Sequence, residues 1–358
     1  MSCAYSDSYR DARSRFRAAA RNIGAELEAQ LVQGAPDSDQ NLTIDIARVG
    51  APNPAWSVIV SSGLHGVEGF LGSAIQISSL KQLSVSDLVE SGGEFIFIHA
   101  INPFGFQELR RVNEDNVDLN RNFLLRGERY QGTSAEYENL NDLLNPSSPP
   151  RLLDPYLVKL GWRIVRIGFP ALKQAVAEGQ FSYPNGLFFG GHKPARSTQI
   201  IQDNIMRWPR GGYIVHLDFH SGLGRYAKYK LFAPANIGPE ELSRYRQLFG
   251  ADTELVGIGG GLGYDVRGDL GRWATATAAP RYRFLFVEFG TYSPIRILDA
   301  LRRENQVHFF ASADDGARRR AKLALLECFC PSSPSWRAAV LRAGLEVIEI
   351  ARQGAARA

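Results

Sequence analysis

Five short, nearly unbroken apolar runs constrain this chain most: WSVIV at 56–60, EFIFIHAI at 94–101, YIVHLDFH at 213–220, YKLFAP at 229–234 and RFLFVEFG at 283–290. Runs this short and dense suit β-strands covered on both faces, because a strand with one wet face alternates instead. Segments with helical spacing lie between several of them, at 70–82, 135–144, 170–179, 239–249, 293–304 and 317–328. Strands alternating with helices predict an α/β fold, a doubly wound and mostly parallel sheet with helices on both faces. Upstream, residues 6–33 place Ala, Phe, Ile and Leu at helical spacing among Arg and Glu, which reads as one opening amphipathic helix. LTIDIARVG at 42–50 alternates like an outer strand. The stretch 126–211 is irregular and rich in Pro, Gly and aromatic residues. It reads as a long ordered insertion, of the kind that forms lids or pocket walls.

Composition narrows the function classes. The chain has 358 residues, of which 44% are apolar and 22% charged, enough for a sizeable core. Its 41 basic and 37 acidic side chains leave a net charge of +4, too balanced to point to nucleic acid or an anionic membrane. Three cysteines, Cys3, Cys328 and Cys330, make no disulfide framework and no zinc knuckle. The N-terminus lacks the apolar core of a signal peptide, and no apolar run reaches the ~18–20 residues that span a bilayer. A cytoplasmic protein is the expectation.

In α/β sheets, ligand sites gather at the carboxyl ends of strands. His65 and Glu68 follow the run 56–60, His220 closes 213–220, and Glu288 lies near the end of 283–290. Catalytic zinc takes three N or O ligands and leaves a fourth position open. A His-x-x-Glu pair on the glycine-rich turn LHGVEG, plus one distant histidine, fits that recipe. Period-two alternation places His216, Asp218 and His220 on one face of their strand. Three polar groups there are costly if that face is plain core. His216 reads as structural, and Asp218 as a carboxylate that orients a ligand imidazole. Arg110, Arg111, Asn113, Asn116, Asn120 and Arg121 crowd the loop after the run 94–101, as an anion-binding wall would.

The ordered set HGVE, NPFGF…RRVNEDNVDLNRNF, DFHSGLG and VEFGT resembles the zinc carboxypeptidase superfamily, which takes in metallocarboxypeptidases and the aspartoacylase/succinylglutamate desuccinylase deacylases. GQFSYPNGLFFGG and the tail FCPSSPSWRAAVLRAGLEVI are similar to a bacterial branch of it known only as a domain of unknown function. The likeness runs from about 55 to 345 and implies one catalytic domain over 1–358, with the insertion at about 126–211. It further implies one zinc ion per chain on His65, Glu68 and His220, with Glu288 as general base. Arg111, rather than its neighbour Arg110, would polarise the scissile carbonyl. Asn120 and Arg121 would hold a substrate carboxylate. The family's substrate-capping tyrosine has no clear motif; Tyr264 is the first choice and Tyr226 the competitor.

The resemblance therefore predicts a zinc-dependent hydrolase of an amide bond next to a free carboxylate, acting on a small peptide. The alternative is a deacylase of an N-acyl amino acid, which the Asp218-x-His220 pattern favours. A silent binder of peptide C-termini is the reading from another class, and the intact residue set argues against it. GIGGGLG at 257–263 does not follow a clear strand and is discounted as a phosphate loop. HSGLG at 220–224 lacks the first glycine of a nucleophile elbow, which discounts Ser221. His99, His192 and His308 have no partner motif and read as structural.

Overall fold

A computed structural model describes residues 4–34, 40–150, 154–234, 237–250, 255–257, 266–278, 281–311 and 316–358. Eight strands form one sheet: β1 Glu26–Gln33, β2 Leu42–Gly50, β3 Trp56–Ser62, β4 Gly93–His99, β5 Tyr213–Tyr226, β6 Tyr229–Ala233, β7 Leu255–Gly257 and β8 Tyr282–Gly290. Their spatial order is β1-β2-β4-β3-β5-β8-β6-β7. The central run β4-β3-β5-β8 is parallel throughout. Antiparallel pairs join β1 and β2 to one side of it and β6 to the other. This is the expected α/β architecture, with its parallel part in the middle, where burial on both faces is most complete.

Alternation sorts each central strand onto two faces. Val58 and Val60 of β3, Val215, Leu217 and Phe219 of β5, and Leu285 and Val287 of β8 join one core cluster. That cluster also takes in residues of the helices Tyr9–Asn22, Gly69–Gln82 and Pro334–Ala356. Ile59, Ile214, Phe284 and Phe286 point the other way, toward residues of the helices Arg196–Asn204 and Leu270–Thr277. His216, Asp218, His220 and Glu288 share the parity of this second face. The candidate site therefore opens on one side of the sheet, at the carboxyl ends of its parallel strands.

Three expectations need correction. Residues 6–33 are not one helix: a helix covers Tyr9–Asn22, Gly24 turns with φ +70°, and Glu26–Gln33 pairs antiparallel with β2. ELEAQLVQ consists of good helix formers, but tertiary pairing overrides that propensity. LTIDIARVG is consequently not the outer strand; β1 covers its free edge, and most of it is buried. Finally, GIGGGLG does follow a strand, the three-residue β7; its residues beyond Gly257 lie outside the described ones.

Two buried histidines make stability depend on pH. His99 stacks on Phe16 with ring centroids 4.6 Å apart and meets the Ser73 hydroxyl at 2.9 Å. His216 lies between the Ser61 hydroxyl at 2.7 Å and the Tyr282 hydroxyl at 2.6 Å. Burial pushes both imidazoles down to about 4. A depressed folded value means that folding favours the neutral ring. Each contribution is complete above the unfolded value near 6.5 and is lost as pH falls from there toward 4. The loss is about 3 kcal/mol per histidine. Urea denaturation from pH 7 to 4 is expected to show a shallower decline in His99→Gln than in the wild type. Parallel declines would remove His99 from this account.

Candidate metal centre

The turn after β3 carries the first two groups. Gly63 takes φ +66°, His65 precedes the single 3-10 turn Gly66–Glu68, and the helix Gly69–Gln82 follows directly. Gly66 is required here: a Cβ would lie 2.1 Å from the carbonyl carbon of Gly105, so no side chain fits. This close approach lets Gly66 N–H donate to the Arg111 carbonyl at 3.1 Å and Val67 N–H to the Arg110 carbonyl at 2.8 Å. The His65–Glu68 turn and the arginine loop are thereby locked together through their backbones.

His65, Glu68 and His220 are all buried, and their ligand atoms lie within 4.8 Å of one another. His65 Nδ1 is 2.9 Å from Glu68 Oε1, and His220 Nδ1 is 3.2 Å from Glu68 Oε2. The far nitrogen of each imidazole faces a buried carboxylate: His65 Nε2 meets Asp118 Oδ1 at 3.2 Å, and His220 Nε2 meets Asp218 Oδ2 at 2.6 Å. Both rings thus turn Nδ1 toward the Glu68 carboxylate. Asp218 is fixed from behind by the Ser61 hydroxyl, which donates to Oδ1 at 2.6 Å. His216 points to Ser61 and Tyr282 instead and stands outside the cluster.

Charge in this cluster is strongly organised. Burial raises the Glu68 carboxyl, but the His65 and His220 imidazoles outweigh it and hold the group well below the usual carboxylate range. Burial acts the same way on Asp118, and Arg111 and His65 overcome it. His220 is raised despite burial, chiefly by Asp218. Glu288 behaves in the opposite way: burial, and then the negative charge of Glu68, push it up to about 7. It pairs across the parallel ladder with His220, and its Oε1 accepts from Leu223 N–H at 2.8 Å. Gly222, with φ +133°, begins the irregular stretch of β5, up to Tyr226, in which this N–H lies.

The arginine loop supplies the remaining groups. Arg111 Nε donates to Asp118 Oδ2 at 3.0 Å, Nη1 reaches Glu68 Oε1 at 3.4 Å, and Nη2 lies 2.7 Å from His65 Nε2. Its guanidinium sits over the Phe188 ring, 5.3 Å from the centroid. Arg110 instead turns into the core, to Glu304, Asn116 and Asn305. Asn120 Oδ1 accepts from Leu270 N–H at 3.0 Å, and Arg121 Nη1 donates to the Asn120 carbonyl at 2.7 Å.

His65, Glu68, Arg111, Asn120, Arg121, His220 and Glu288 all line one cavity of about 190 Å³. Of the eight residues to which the resemblance assigns a role, seven line this cavity and Tyr264 lies outside the described residues; Arg110, Asn113 and Asn116 of the expected anion-binding wall are not in its lining. Tyr226 is 44% exposed and packs edge-on to Tyr292, away from this lining. His192 is exposed beside Phe189. The cavity's apolar wall includes Leu160, Leu172, Val176 and Phe188, all within the segment 126–211.

The sequence reading missed Asp118 as a partner of His65. Its signal was an acid two residues before Asn120, at the start of the turn Leu119–Arg121, where it accepts from Asn120 N–H at 3.0 Å. The reading also missed Asp269, which lines the cavity and caps the helix Leu270–Thr277.

Among solved structures, carboxypeptidase A from Helicoverpa armigera is similar at 14% identity and TM-score 0.48, covering 95% of this chain and 73% of that one. Bovine thrombin-activatable fibrinolysis inhibitor is similar at 14% identity and TM-score 0.48, covering 98% of each chain. The murein-tripeptide amidase MpaA of Escherichia coli O157 is similar at 17% identity and TM-score 0.37, covering 84% of this chain and 92% of that one. No curated protein matches the chain. A family model described as "Protein of unknown function (DUF2817)" matches residues 5–343. A match of that extent takes in the HGVE turn, the arginine loop, His220 and Glu288 together, and the chain belongs to the DUF2817 family.

Proposed function

We propose that this protein is a zinc-dependent hydrolase that cleaves an amide bond next to a free carboxylate. One observation carries the reading: two Nδ1 atoms and a carboxylate converge on one point, and each imidazole has a carboxylate behind it. A nitrogen/oxygen donor set of three with carboxylate-backed histidines fits catalytic zinc. His65, Glu68 and His220 would hold the ion, which supplies a Lewis acid that polarises a carbonyl and acidifies water. Glu288, raised to about 7, takes the proton of the attacking water and returns it to the leaving nitrogen. Arg111 lies beside the ligand cluster, where charge develops on the carbonyl oxygen. Asn120 and Arg121 would receive the substrate carboxylate, because a guanidinium next to an amide suits that group.

The apolar wall of Leu160, Leu172, Val176 and Phe188 gives weight to a second reading, removal of an acyl group from an N-acyl amino acid. One experiment covers both. The purified protein is expected to carry close to one zinc per chain, and His65→Ala, Glu68→Ala and His220→Ala to lose it. Hydrolysis of C-terminally free dipeptides or N-acyl amino acids should stop with a chelator and return with zinc. Amidating the carboxylate should lower kcat/KM by at least about tenfold, which is 1.4 kcal/mol. Wild-type zinc content in the alanine variants would overturn the ligand set. Equal cleavage of free and amidated substrates would overturn the carboxylate requirement.

A further inference from the structure

The insertion carries an anomaly that the metal centre does not use. Among the described residues, Leu157, Val158, Trp162, Val165 and Ile167 are 42–85% exposed, and all belong to one helix, Tyr156–Ile167. At about 100° per residue, Leu157, Gly161, Val165, Val158 and Trp162 fill a continuous arc of about 140°. Tyr156 and Leu160 are buried on the opposite side, and Leu160 lines the active-site cavity. This helix is therefore apolar twice: once toward the pocket and once toward solvent. Scattered surface leucines need no explanation, but a contiguous apolar face on one helix does.

Charge indicates what covers that face. Residues 155–177 contain Lys159, Arg163, Arg166 and Lys173 and no acidic residue. On the helical wheel, Arg166, Lys159 and Arg163 follow directly beside Trp162, between the exposed face and the buried one. The Arg163 and Arg166 guanidiniums lie 5.5 and 4.6 Å from the Trp162 ring, held at its border. The nearest preceding acid, Asp154, is already paired with Arg302 at 2.7 Å. The helix Ala135–Leu144, which packs against it, carries the exposed acids Glu136, Glu138 and Asp142, but within Tyr156–Ile167 itself an apolar face, a tryptophan at its margin and a cationic rim without acids match the plane of an anionic bilayer surface. The balanced charge of the whole chain does not register a local run of this kind.

We propose that the helix Tyr156–Ile167 docks this protein on anionic lipid surfaces, with its inner face walling the active-site cavity. The test uses vesicles of phosphatidylcholine alone and of phosphatidylcholine with 30% phosphatidylglycerol. The other four tryptophans are 0–7% exposed, so a change in emission reports on Trp162. The expected result is co-sedimentation with the anionic vesicles only, a blue shift in tryptophan emission, and release by high salt. The double variant Trp162→Ser/Val165→Ser should bind at least tenfold more weakly while keeping the wild-type melting temperature, since both side chains are exposed. No binding to anionic vesicles, or equal binding by the double variant, would overturn the proposal. So would a concentration-dependent dimer that the double variant abolishes, since a second copy would then be the occupant. The readout is binding, so it stands apart from the outcome of any hydrolysis assay.

Discussion

Glu288→Gln is expected to bind zinc as the wild type does and to turn over substrate about 10²–10⁴-fold more slowly. Glutamine keeps the length of the side chain, and its Oε1 can still accept from Leu223 N–H, so the strand end keeps its geometry. What it loses is the ability to take a proton. That ability is tuned by the surroundings: burial and the adjacent Glu68 charge raise the carboxyl to about 7, where one group can accept a proton and return it near neutral pH. Glu288 does not belong to the group of three whose ligand atoms converge, so zinc content should be unchanged. Near-normal turnover by the variant would remove Glu288 from the mechanism. Loss of zinc along with activity would recast it as a ligand.

Arg111→Ala is expected to lower kcat by about 10²–10³, the range for losing one donor to a developing oxyanion. KM should change little, because the interaction strengthens only as charge builds on the carbonyl oxygen. Arg111 also touches Glu68 and Asp118, which gives a competing role as a support for the ligand carboxylates. Zinc content separates the two roles. Removing a cation from beside the ligands should leave metal affinity equal or higher if Arg111 acts on the substrate. If its task is to hold Glu68 and Asp118 in place, the alanine variant will lose zinc and melting temperature together.

The parts legible in the sequence were those with a short-range signature. WSVIV and RFLFVEFG announce buried strands because both of their faces are apolar. HGVE announces a turn because glycines flank two metal-ligand types. β1 was not legible, since ELEAQLVQ becomes a strand only by pairing with β2. Asp118 was not legible because its partners, His65 and Arg111, are set by the fold rather than by neighbouring residues. The helix Tyr156–Ile167 could be read as helical, but periodicity alone does not say which of two apolar faces is buried.

The segment 126–211 lies between Glu68 and His220, two residues whose ligand atoms lie close together. Its two ends join the arginine loop and β5, both of which carry groups of the candidate site. The entropic cost of closing a loop grows only by about 0.6 kcal/mol for each doubling of its length. Its length can therefore vary at little entropic cost outside the points where it touches the site: Phe188 under the Arg111 guanidinium, and Phe189, whose carbonyl accepts from Asp118 N–H at 2.8 Å. The reacting groups and part of the apolar wall that faces them thus come from separate stretches of the chain. Rebuilding this stretch around a retained Phe188 and Phe189 is therefore a route to a differently shaped cavity over the same His65, Glu68, His220 and Glu288.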